Sequence, residues 1–382
     1  MHIIVVGAGL GGLSAAIAIL QAGHEVTILE GAHEINEVGA GIQTLPNATK
    51  ILFDFGLKDQ LLKRATRPQF VYMNRWKGDN LTKMDFHKQG ERFGYPFLDF
   101  HRADLQAVML ERTKELGAEI VVDARVEQLS YDLVKKTVTC TTKNGDKFTA
   151  DLVVGADGIN SKLRELLVGH SDPPSPTGDL AYRLLIPTEK MLDDPELREF
   201  VERPQVNYWI GPQAHCVNYI LKNGKLFNFV LLCPDTVPDN MTICSGQVDE
   251  MKEFFKDWDP RITKLINLVP TDTVDKWKLC YRLGIDNWSH PSNMVTLLGD
   301  SVHATLPYLA SGAGMAIEDG AVLGECLSRL SSKEELSKAL AVYELCRKKR
   351  TERIVSRGNE QQYLYHLDDG VEQQERDRIL QL

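Results

Sequence analysis

Residues 2–30 read HIIVVGAGLGGLSAAIAILQAGHEVTILE, and this stretch decides the fold. The β-branched apolar run at 2–6 predicts a short buried strand. The Ala- and Leu-rich run at 12–22 predicts a helix, and residues 25–30 predict a second strand. A strand–helix–strand unit of this length implies a parallel sheet with a right-handed crossover, so the sequence predicts an α/β, Rossmann-like fold.

The turn between the first strand and the helix carries the glycine pattern G-x-G-x-x-G, formed by Gly7, Gly9 and Gly12. Such glycines permit a tight turn and close approach of the backbone to a pyrophosphate, which the helix N-terminus attracts. Glu30 follows at the end of the second strand, where a carboxylate binds ribose hydroxyls. We therefore predict a dinucleotide site at Gly7, Gly9, Leu10, Gly12 and Glu30. The acidic strand end favours NAD or FAD over NADP, and the motif does not choose between those two.

Composition excludes several classes of function. The chain has 382 residues, enough for two intergrown units, and its net charge of -9 argues against nucleic-acid binding. Its 7 cysteines include no C-x-x-C pair, which favours free thiols in a reducing, cytoplasmic setting over disulfides or zinc. No apolar stretch approaches the roughly 18 residues of a membrane span. No ligand cluster occurs at metal spacing, so we predict no metal site.

Further motifs make the sequence recognisable. GAGLGG at 7–12 is followed by HRADL at 101–105, GADGINSKLR at 155–164, GDSVHATLPYLASGAGMAIEDG at 299–320 and DGVEQQERD at 369–377. In this order they resemble the flavin-dependent aromatic hydroxylases, specifically the salicylate hydroxylase-like single-component flavoprotein monooxygenases. The resemblance covers nearly the whole chain.

The resemblance, together with the pattern of strand-like and helix-like segments along the chain, implies a domain organisation. An FAD-binding domain takes residues 1–170 and resumes at 286–330. Strand-like runs in 171–285 predict an intergrown, antiparallel-sheet domain that covers the substrate. Residues 331–382 are expected to form C-terminal helices.

The resemblance also implies cofactor-binding residues beyond the first motif. Arg102 precedes a predicted helix and suits the flavin's phosphate or ribityl region, because a guanidinium binds such groups bidentately. The carboxylate of Asp300 would accept hydrogen bonds from ribityl hydroxyls. The free N–H groups at the start of a long helix would face the flavin's pyrimidine end. The further residues expected at this site are Gly41 and Ile42 in the loop 39–43, Val126, Asp157, Pro307, Gly312, Ala313 and Gly314. Ala304 stands where many relatives have proline, which loosens that loop.

The implied activity is hydroxylation. Non-covalently bound FAD would be reduced by NAD(P)H and would deliver oxygen from O2, through a flavin hydroperoxide, to an aromatic or electron-rich small molecule. The protein would orient the substrate and exclude water. The sequence leaves open whether the chain is a monomer or a homodimer.

Two residues are candidates for handling the substrate. Arg183 lies on a predicted strand, where it could hold a phenolate or carboxylate, although a solvent-facing strand arginine is an equally good description. Tyr219 could bind a substrate hydroxyl, with Tyr208 as its competitor, although aromatic residues on strands are more often packing residues. His303 is expected to have a structural role beside the flavin.

Other functions remain open at this point. A flavin-dependent epoxidase of natural-product biosynthesis would use the same oxygen chemistry. A non-oxygenating FAD dehydrogenase would not consume O2. A non-catalytic FAD-binding module is the alternative from a different class.

Overall fold

The computed structural model describes residues 1–35 and 40–381, so Gly39 of the predicted loop lies outside the described residues. The strands are β1 (His2–Val6), β2 (Glu25–Leu29), β3 (Gly41–Thr44), β4 (Phe70–Arg75), β5 (Asn80–Asp85), β6 (Leu98–His101), β7 (Glu119–Val121), β8 (Val126–Asp132), β9 (Thr137–Thr142), β10 (Lys147–Ala150), β11 (Leu152–Gly155), β12 (Ser175–Pro187), β13 (Gln205–Gly211), β14 (Ala214–Leu221), β15 (Leu226–Pro234), β16 (Ile243–Gln247), β17 (Thr273–Tyr281) and β18 (Val295–Leu297).

The α-helices are α1 (Leu10–Gln21), α2 (Pro46–Asp54), α3 (Lys58–Arg64), α4 (Phe86–Phe93), α5 (Arg102–Glu115), α6 (Lys162–Val168), α7 (Pro195–Glu202), α8 (Val248–Phe255), α9 (Pro260–Asn267), α10 (Asp300–His303), α11 (Gly312–Ser328), α12 (Leu336–Tyr365) and α13 (Val371–Leu380). Short 3-10 turns lie at Glu189–Met191, Lys222–Gly224, Pro307–Leu309 and Lys333–Glu335.

A five-stranded parallel sheet in the order β18-β11-β1-β2-β7 forms the first layer. Strands β11 and β18 are buried along their whole length, as expected for a parallel sheet covered on both faces. The carboxyl ends of β1 and β18 lie at the same edge, so Gly7 and Gly299 both leave the sheet there. Ligands of open α/β sheets bind at this edge. The predicted α/β, Rossmann-like unit is confirmed.

Helices α1 and α11 pack against each other without room for side chains at two positions. A methyl group added at Gly320 would lie 2.5 Å from the backbone nitrogen of Ala15. One added at Gly324 would collide with the side chain of Ala18. The two helices therefore approach each other almost backbone to backbone, which fixes their starting points relative to each other.

An eight-stranded sheet in the order β16-β17-β12-β15-β14-β13-β4-β5 forms the second large layer. Its pairs are antiparallel except β4 with β13, which run parallel. Helices α7, α8 and α9 cover one face with an apolar core that includes Phe200, Met251 and Ile262. The opposite face is turned toward the parallel sheet.

The composition of the large sheet does not follow the predicted division of the chain into domains. Strands β4 and β5 come from residues 70–85, inside the stretch 1–170 that the sequence assigns to the FAD-binding domain, yet they pair within the large sheet. The boundaries at 170, 285 and 330 therefore stay a proposal. In the described part of the chain, no helix combines the length and the apolar character that a membrane crossing needs.

Candidate functional site

A cavity of about 310 Å³ lies between the carboxyl edge of the parallel sheet and the inner face of the large sheet. Loops that leave β1 and β18 form one wall, and side chains of β12, β14 and β15 form the other. The sequence-predicted residues that line it are Gly9, Leu10, Gly41, Ile42, Arg102, Arg183, Tyr219, Asp300, Pro307, Gly312 and Ala313. The fold thus brings most of the predicted site together.

The N-terminus of α1 opens onto the cavity. Gly9 precedes the helix and has no side chain to cap it, and a methyl group added there would meet nothing within 4 Å. The inside of the turn has no space for a side chain, because a methyl group at Gly12 would collide with the carbonyl oxygen of Gly7. The helix therefore offers unbonded N–H groups to an open volume, an arrangement that suits a diphosphate.

Glu30 lies at the edge of this turn. Its Oε2 accepts a hydrogen bond from the backbone N–H of Ala8 and its Oε1 accepts one from that of Ala32, each at 2.8 Å. These bonds fix the carboxylate at the end of β2. Each oxygen keeps a second lone pair with which it could accept from ribose hydroxyls.

The second predicted turn begins at Gly299, whose φ of 61° places it in the left-handed region that favours glycine. Its N–H donates to Oδ2 of the buried Asp319 at 2.9 Å. The same oxygen lies 2.5 Å from Nε2 of His303, and Arg347 donates to Oδ1 at 2.7 Å. Asp319 thus holds the turn that presents the exposed Asp300 to the cavity, and His303 is a structural partner of that turn.

The charge on Asp319 is stabilised by its partners. Burial opposes ionisation of this carboxyl group, but the His303 ring and the Arg347 guanidinium outweigh it and hold its pKa below the usual value. The turn at Gly299 therefore rests on an ionised, fully hydrogen-bonded carboxylate.

A second helix N-terminus faces the cavity at Gly312, where α11 begins. The hydroxyl of Ser311 donates to the carbonyl of Leu309 at 2.8 Å and does not cap the helix. The first N–H groups of α11 are consequently available at the wall that Gly312 and Ala313 form. Gly314 lies one residue deeper and faces Asn47 and Ala48 instead.

Val126 and Asp157 are also absent from the cavity wall. Val126 begins β8 and is buried in the core of the parallel-sheet layer. Oδ1 of Asp157 accepts a hydrogen bond from the hydroxyl of Ser161 at 2.5 Å, and Oδ2 accepts one from the N–H of Leu163 at 3.0 Å. Asp157 therefore shapes the loop before α6, while its neighbours Ala156 and Gly158 reach the cavity.

The large sheet presents alternate side chains to the cavity. Arg183 on β12 is open to it, and its guanidinium lies 5.2 Å from the centre of the Trp277 ring. Burial and the nearby positive charge of Arg102 lower the pKa of Arg183. The charged or ionisable groups of the described residues that act on Arg183 are Arg102 and Tyr219, and no carboxylate is among them. A cation in this position is suited to an anionic ligand.

Tyr219 on β14 lies behind the loop that begins at Gly41. A methyl group at Gly41 would come within 2.5 Å of the Tyr219 ring, and the N–H of Gly41 donates to Oδ1 of Asn228 at 2.9 Å. Burial raises the pKa of Tyr219 well above its usual value, so the phenol stays protonated. Tyr208, the competing tyrosine, lines the same cavity.

Sequence reasoning missed His215. It lies on the same face of β14 as Tyr219, because residues four apart on a strand point to one side, and it lines the cavity. Its Nδ1 lies 2.8 Å from Nε2 of His366. The period-2 alternation of β14 was the available signal. The partner, 151 positions further along the chain, could not be inferred locally.

Sequence reasoning also missed Asp99, on β6 behind the cavity. Its Oδ1 accepts from Nε2 of Gln43 at 2.9 Å, and its Oδ2 has no partner among the described residues. Burial raises the pKa of this carboxyl to about 8, so it is largely protonated at neutral pH. A lone Asp between apolar strand residues was the only signal in the sequence.

The residues present fit an FAD molecule. Two helix N-termini with unbonded N–H groups suit its diphosphate and the pyrimidine end of its flavin. The carboxylates of Glu30 and Asp300 suit its ribose and ribityl hydroxyls. The buried hydroxyl of Thr305, which lines the cavity, also has no protein partner among the described residues. No group of His, Cys, Asp or Glu in the described ranges could hold a metal ion.

Comparison with known proteins places this geometry in context. Residues 1–358 match the protein family described as FAD binding domain. The FAD-dependent monooxygenase OpS4 of Beauveria bassiana (strain ARSEF 2860) is 40% identical, over 100% of this chain and 89% of that protein. The 3-hydroxybenzoate 6-hydroxylase of Polaromonas naphthalenivorans (strain CJ2) is 33% identical, over 97% of this chain and 90% of that protein.

Solved structures share the fold. Klebsiella pneumoniae HpxO complexed with FAD and uric acid matches with a TM-score of 0.85 at 24% identity, over 100% of this chain and 92% of that one. A salicylate hydroxylase substrate complex matches with a TM-score of 0.84 at 22% identity, with the same coverage. These structures support the architecture described above.

Proposed function

This chain belongs to the FAD-binding-domain family, whose named relatives are FAD-dependent monooxygenases and hydroxylases, and from that premise we propose that it hydroxylates a phenolic aromatic small molecule with NAD(P)H and O2. One observation carries the choice of substrate. Arg183, His215 and Tyr219 share one face of the large sheet and point into the cavity opposite the two helix N-termini.

We propose that the wall nearest the parallel sheet holds FAD. The N-terminus of α1 and Arg102 would bind the diphosphate, Glu30 the ribose and Asp300 the ribityl chain. Bound FAD supplies electron transfer from NAD(P)H and activation of O2. The N–H groups at the start of α11 would stabilise negative charge at the pyrimidine end of the flavin.

The opposite wall would orient the aromatic substrate. Arg183 is placed to bind a carboxylate or phenolate, and Tyr219 is placed to hydrogen-bond a ring hydroxyl. Nε2 of His215, which has no partner in the described part of the chain, is placed to accept a phenolic proton. Val217, Val230 and Leu232 supply apolar surface between these groups, which favours an aromatic ring and excludes water.

The proposal is tested with purified, FAD-loaded protein. Phenols, aromatic acids and indoles are screened for stimulated NAD(P)H oxidation, with O2 consumption and the mass of the product as parallel readouts. We expect a phenolic acid to stimulate oxidation and to gain one oxygen atom. An FAD-loaded protein that no phenol stimulates would contradict the proposal.

Arg183→Ala measures the anion contact. Loss of a charge-assisted hydrogen bond costs about 2 kcal/mol, so KM for a phenolic acid should rise about 30-fold. The matched control is Arg203→Ala, since Arg203 is a largely exposed arginine that pairs only with Glu199 among the described residues. An unchanged KM in Arg183→Ala would remove this residue from the substrate site.

We also propose a cytoplasmic location and a monomeric or homodimeric state. The described cysteines are all unpaired, which supports a reducing compartment. Light scattering of the purified protein measures the oligomeric state.

A further inference from the structure

The large sheet splits between β12 and β17. The pairing of these two strands ends at Tyr182 and Lys276. Beyond this point β12 continues along β15, and the first residues of β17 follow β16 instead. A cleft of about 230 Å³ opens between residues 183–185 of β12 and residues 273–275 of β17, and the loop 269–271 also lines it. We call this space the side cleft.

The side cleft opens off the cavity described above. Ala40 and Arg183 line both spaces. Trp277 is paired with Ala181, which lines the cavity, so these two side chains lie on the same face of the sheet. The guanidinium of Arg183 lies 5.2 Å from the centre of the Trp277 ring. Arg183 and Trp277 therefore stand at the boundary between the cavity and the side cleft.

The side cleft has an apolar interior and a polar edge. Leu184 and Val274 line it and are buried in the apolar core that α7, α8 and α9 cover. Val269 and the half-buried Trp277 add further apolar surface. The polar residues that line the cleft at exposed positions are Thr271, Thr273 and Asp275. This lining suits an apolar group, and the carboxylate of Asp275 disfavours an anionic one.

The side cleft adds the room that a larger substrate needs. The cavity of about 310 Å³ has to hold the flavin ring system as well as the reacting ring of the substrate. The side cleft has about 230 Å³, whereas an apolar protein cavity of about 150 Å³ already binds benzene. A second ring or a short alkyl chain therefore fits the side cleft.

We propose that the side cleft binds an apolar substituent of the aromatic substrate, an alkyl chain or a second ring, while the phenolic ring reacts in the cavity. The inference rests on the proposed hydroxylation of a phenol and narrows its substrate class. Arg183 holds the anionic group of the substrate at the boundary, and the substituent passes the Trp277 ring into the apolar interior. Trp277 is therefore the residue that decides whether a substituted phenol is accepted.

Binding of a graded series of ligands to the FAD-loaded protein tests the side cleft. The probes are salicylate and its 4-, 5- and 6-alkyl derivatives with chains of one to four carbons, and the change in flavin absorbance measures each Kd. In one of the three series we expect Kd to fall about fourfold per added carbon, because each buried methylene group contributes that much. Chains that end in a carboxylate should lose this gain, because Asp275 repels a second anion. Kd values that fall with chain length in none of the series would overturn the proposal.

Variants of Trp277 separate a role in specificity from a general effect on Arg183. Trp277→Ala removes a wall of the side cleft, so the gain per carbon should drop below about twofold. Trp277→Phe keeps an aromatic wall and should keep most of the gain. If Trp277 only positioned Arg183, Trp277→Ala would weaken every ligand by the same factor and leave the gain per carbon unchanged. That outcome would remove Trp277 from the side cleft.

Filling the side cleft provides the converse test. Thr271→Trp places a large side chain at the exposed edge of the cleft and should abolish the gain per carbon. The matched control is Thr242→Trp, because Thr242 is also exposed but is not among the residues that line either space. This control should keep the gain. Equal gains in both variants would mean that the chain binds elsewhere.

The binding measurement requires no turnover, which keeps this proposal distinct from the proposed function. Chain-dependent binding through Trp277, without oxygenation of any phenol, would count against the proposed hydroxylation alone. Hydroxylation of salicylate without a gain from any alkyl chain would count against the side cleft alone.

Discussion

At the scale of single residues, Asp99 holds a buried carboxyl group whose pKa is about 8. Between the pH at which this group ionises in the unfolded chain and about pH 8, the folded protein holds one more proton than the unfolded chain. Stability therefore falls as pH rises through this window, at roughly 1.4 kcal/mol per pH unit at most. Above about pH 8 the Asp99 carboxyl is ionised in the folded protein as well, and folding then carries the full free-energy cost of burying this charge.

Asp99→Asn should remove this loss, because an amide stays neutral. We expect the variant to gain stability over the wild type progressively from pH 5 to pH 8, reaching a few kcal/mol. Urea unfolding of the holoenzyme across this range measures the gain. A constant difference between the two proteins at every pH would show that Asp99 titrates normally.

Gly41 is a position where a methyl group has no room. Gly41→Ala would press on the ring of Tyr219, 2.5 Å away, and on the side chain of Asn228, 2.7 Å away. Displacing Tyr219 by that collision should lower kcat/KM by at least about 10-fold, equivalent to about 1.4 kcal/mol. Steady-state kinetics with the phenol found by screening provide the measurement.

The control for Gly41→Ala is Gly284→Ala. Gly284 is exposed, and a methyl group there meets only Glu352 Oε1 at 3.6 Å. The two variants share the same change in backbone freedom. Equal kinetics in both would mean that the contact with Tyr219 does not matter for turnover.

The roles of single residues were the hardest feature to predict from the sequence. The sequence places Arg183 and Tyr219 on predicted strands, and in the fold both lie on the cavity wall. The alternation of β14 places His215 on the face of Tyr219, but its partner His366 lies 151 positions away and could not be inferred from the sequence. Contacts between residues more than 100 positions apart follow from the fold and leave no trace in local spacing.

At the scale of elements, Asp319 connects three of them. Asp319 lies on α11. Its contacts with Gly299 and His303 hold the turn after β18, and it also pairs with Arg347 of α12. Asp319→Asn keeps the shape but removes the charge. We expect a loss of about 3 kcal/mol in the free energy of unfolding, because Arg347 loses a buried anion.

The pH dependence of Asp319→Asn follows from its lowered pKa. The stabilisation from this carboxylate is fully present above its unfolded pKa and disappears as pH falls through its folded value. The difference from the wild type should therefore shrink on acidification, in chemical unfolding experiments. Glu325→Gln is the control, since its pair with Arg329 is exposed and its loss should change the stability very little. Equal losses in both variants would contradict the assigned role.

Secondary structure was predicted well where periodicity is local. The first strand–helix–strand unit follows from an apolar run, glycines and a second run, and it forms as predicted. Strands β4 and β5 are neighbours in the sequence and pair with each other. The pairing of β4 with β13 could not be predicted from the sequence, because strand partners 135 positions apart share no local signal.

At the scale of the whole molecule, FAD should couple the two layers. The cavity takes one wall from each, so a ligand that fills it stabilises both by mass action. At 100 times its dissociation constant the gain is about 2.7 kcal/mol. Calorimetry should show one transition for the holoenzyme and a lower Tm after FAD removal. The same Tm with and without FAD would contradict binding in this cavity.

The fold class, the family and the FAD-dependent monooxygenase activity were all predictable from the sequence, and the comparisons confirm them. Several motifs in a fixed order carried that prediction. Because the family's named relatives are enzymes, a non-catalytic module is no longer a competing description. The domain boundaries stay a prediction, because β4 and β5 of the first segment pair within the large sheet and the chain passes between the two layers more than once.

The glycine contacts between α1 and α11 have an evolutionary consequence. Neighbouring atoms leave no space for a side chain at Gly320 or Gly324. Sequence change is therefore constrained in the layer that holds the proposed FAD site. The strands β12, β14 and β15 face the ligand with side chains alone, and these can be exchanged without disturbing a helix. Adaptation to a new aromatic compound should therefore proceed by changes on that sheet, over an inherited and nearly immutable pair of helices.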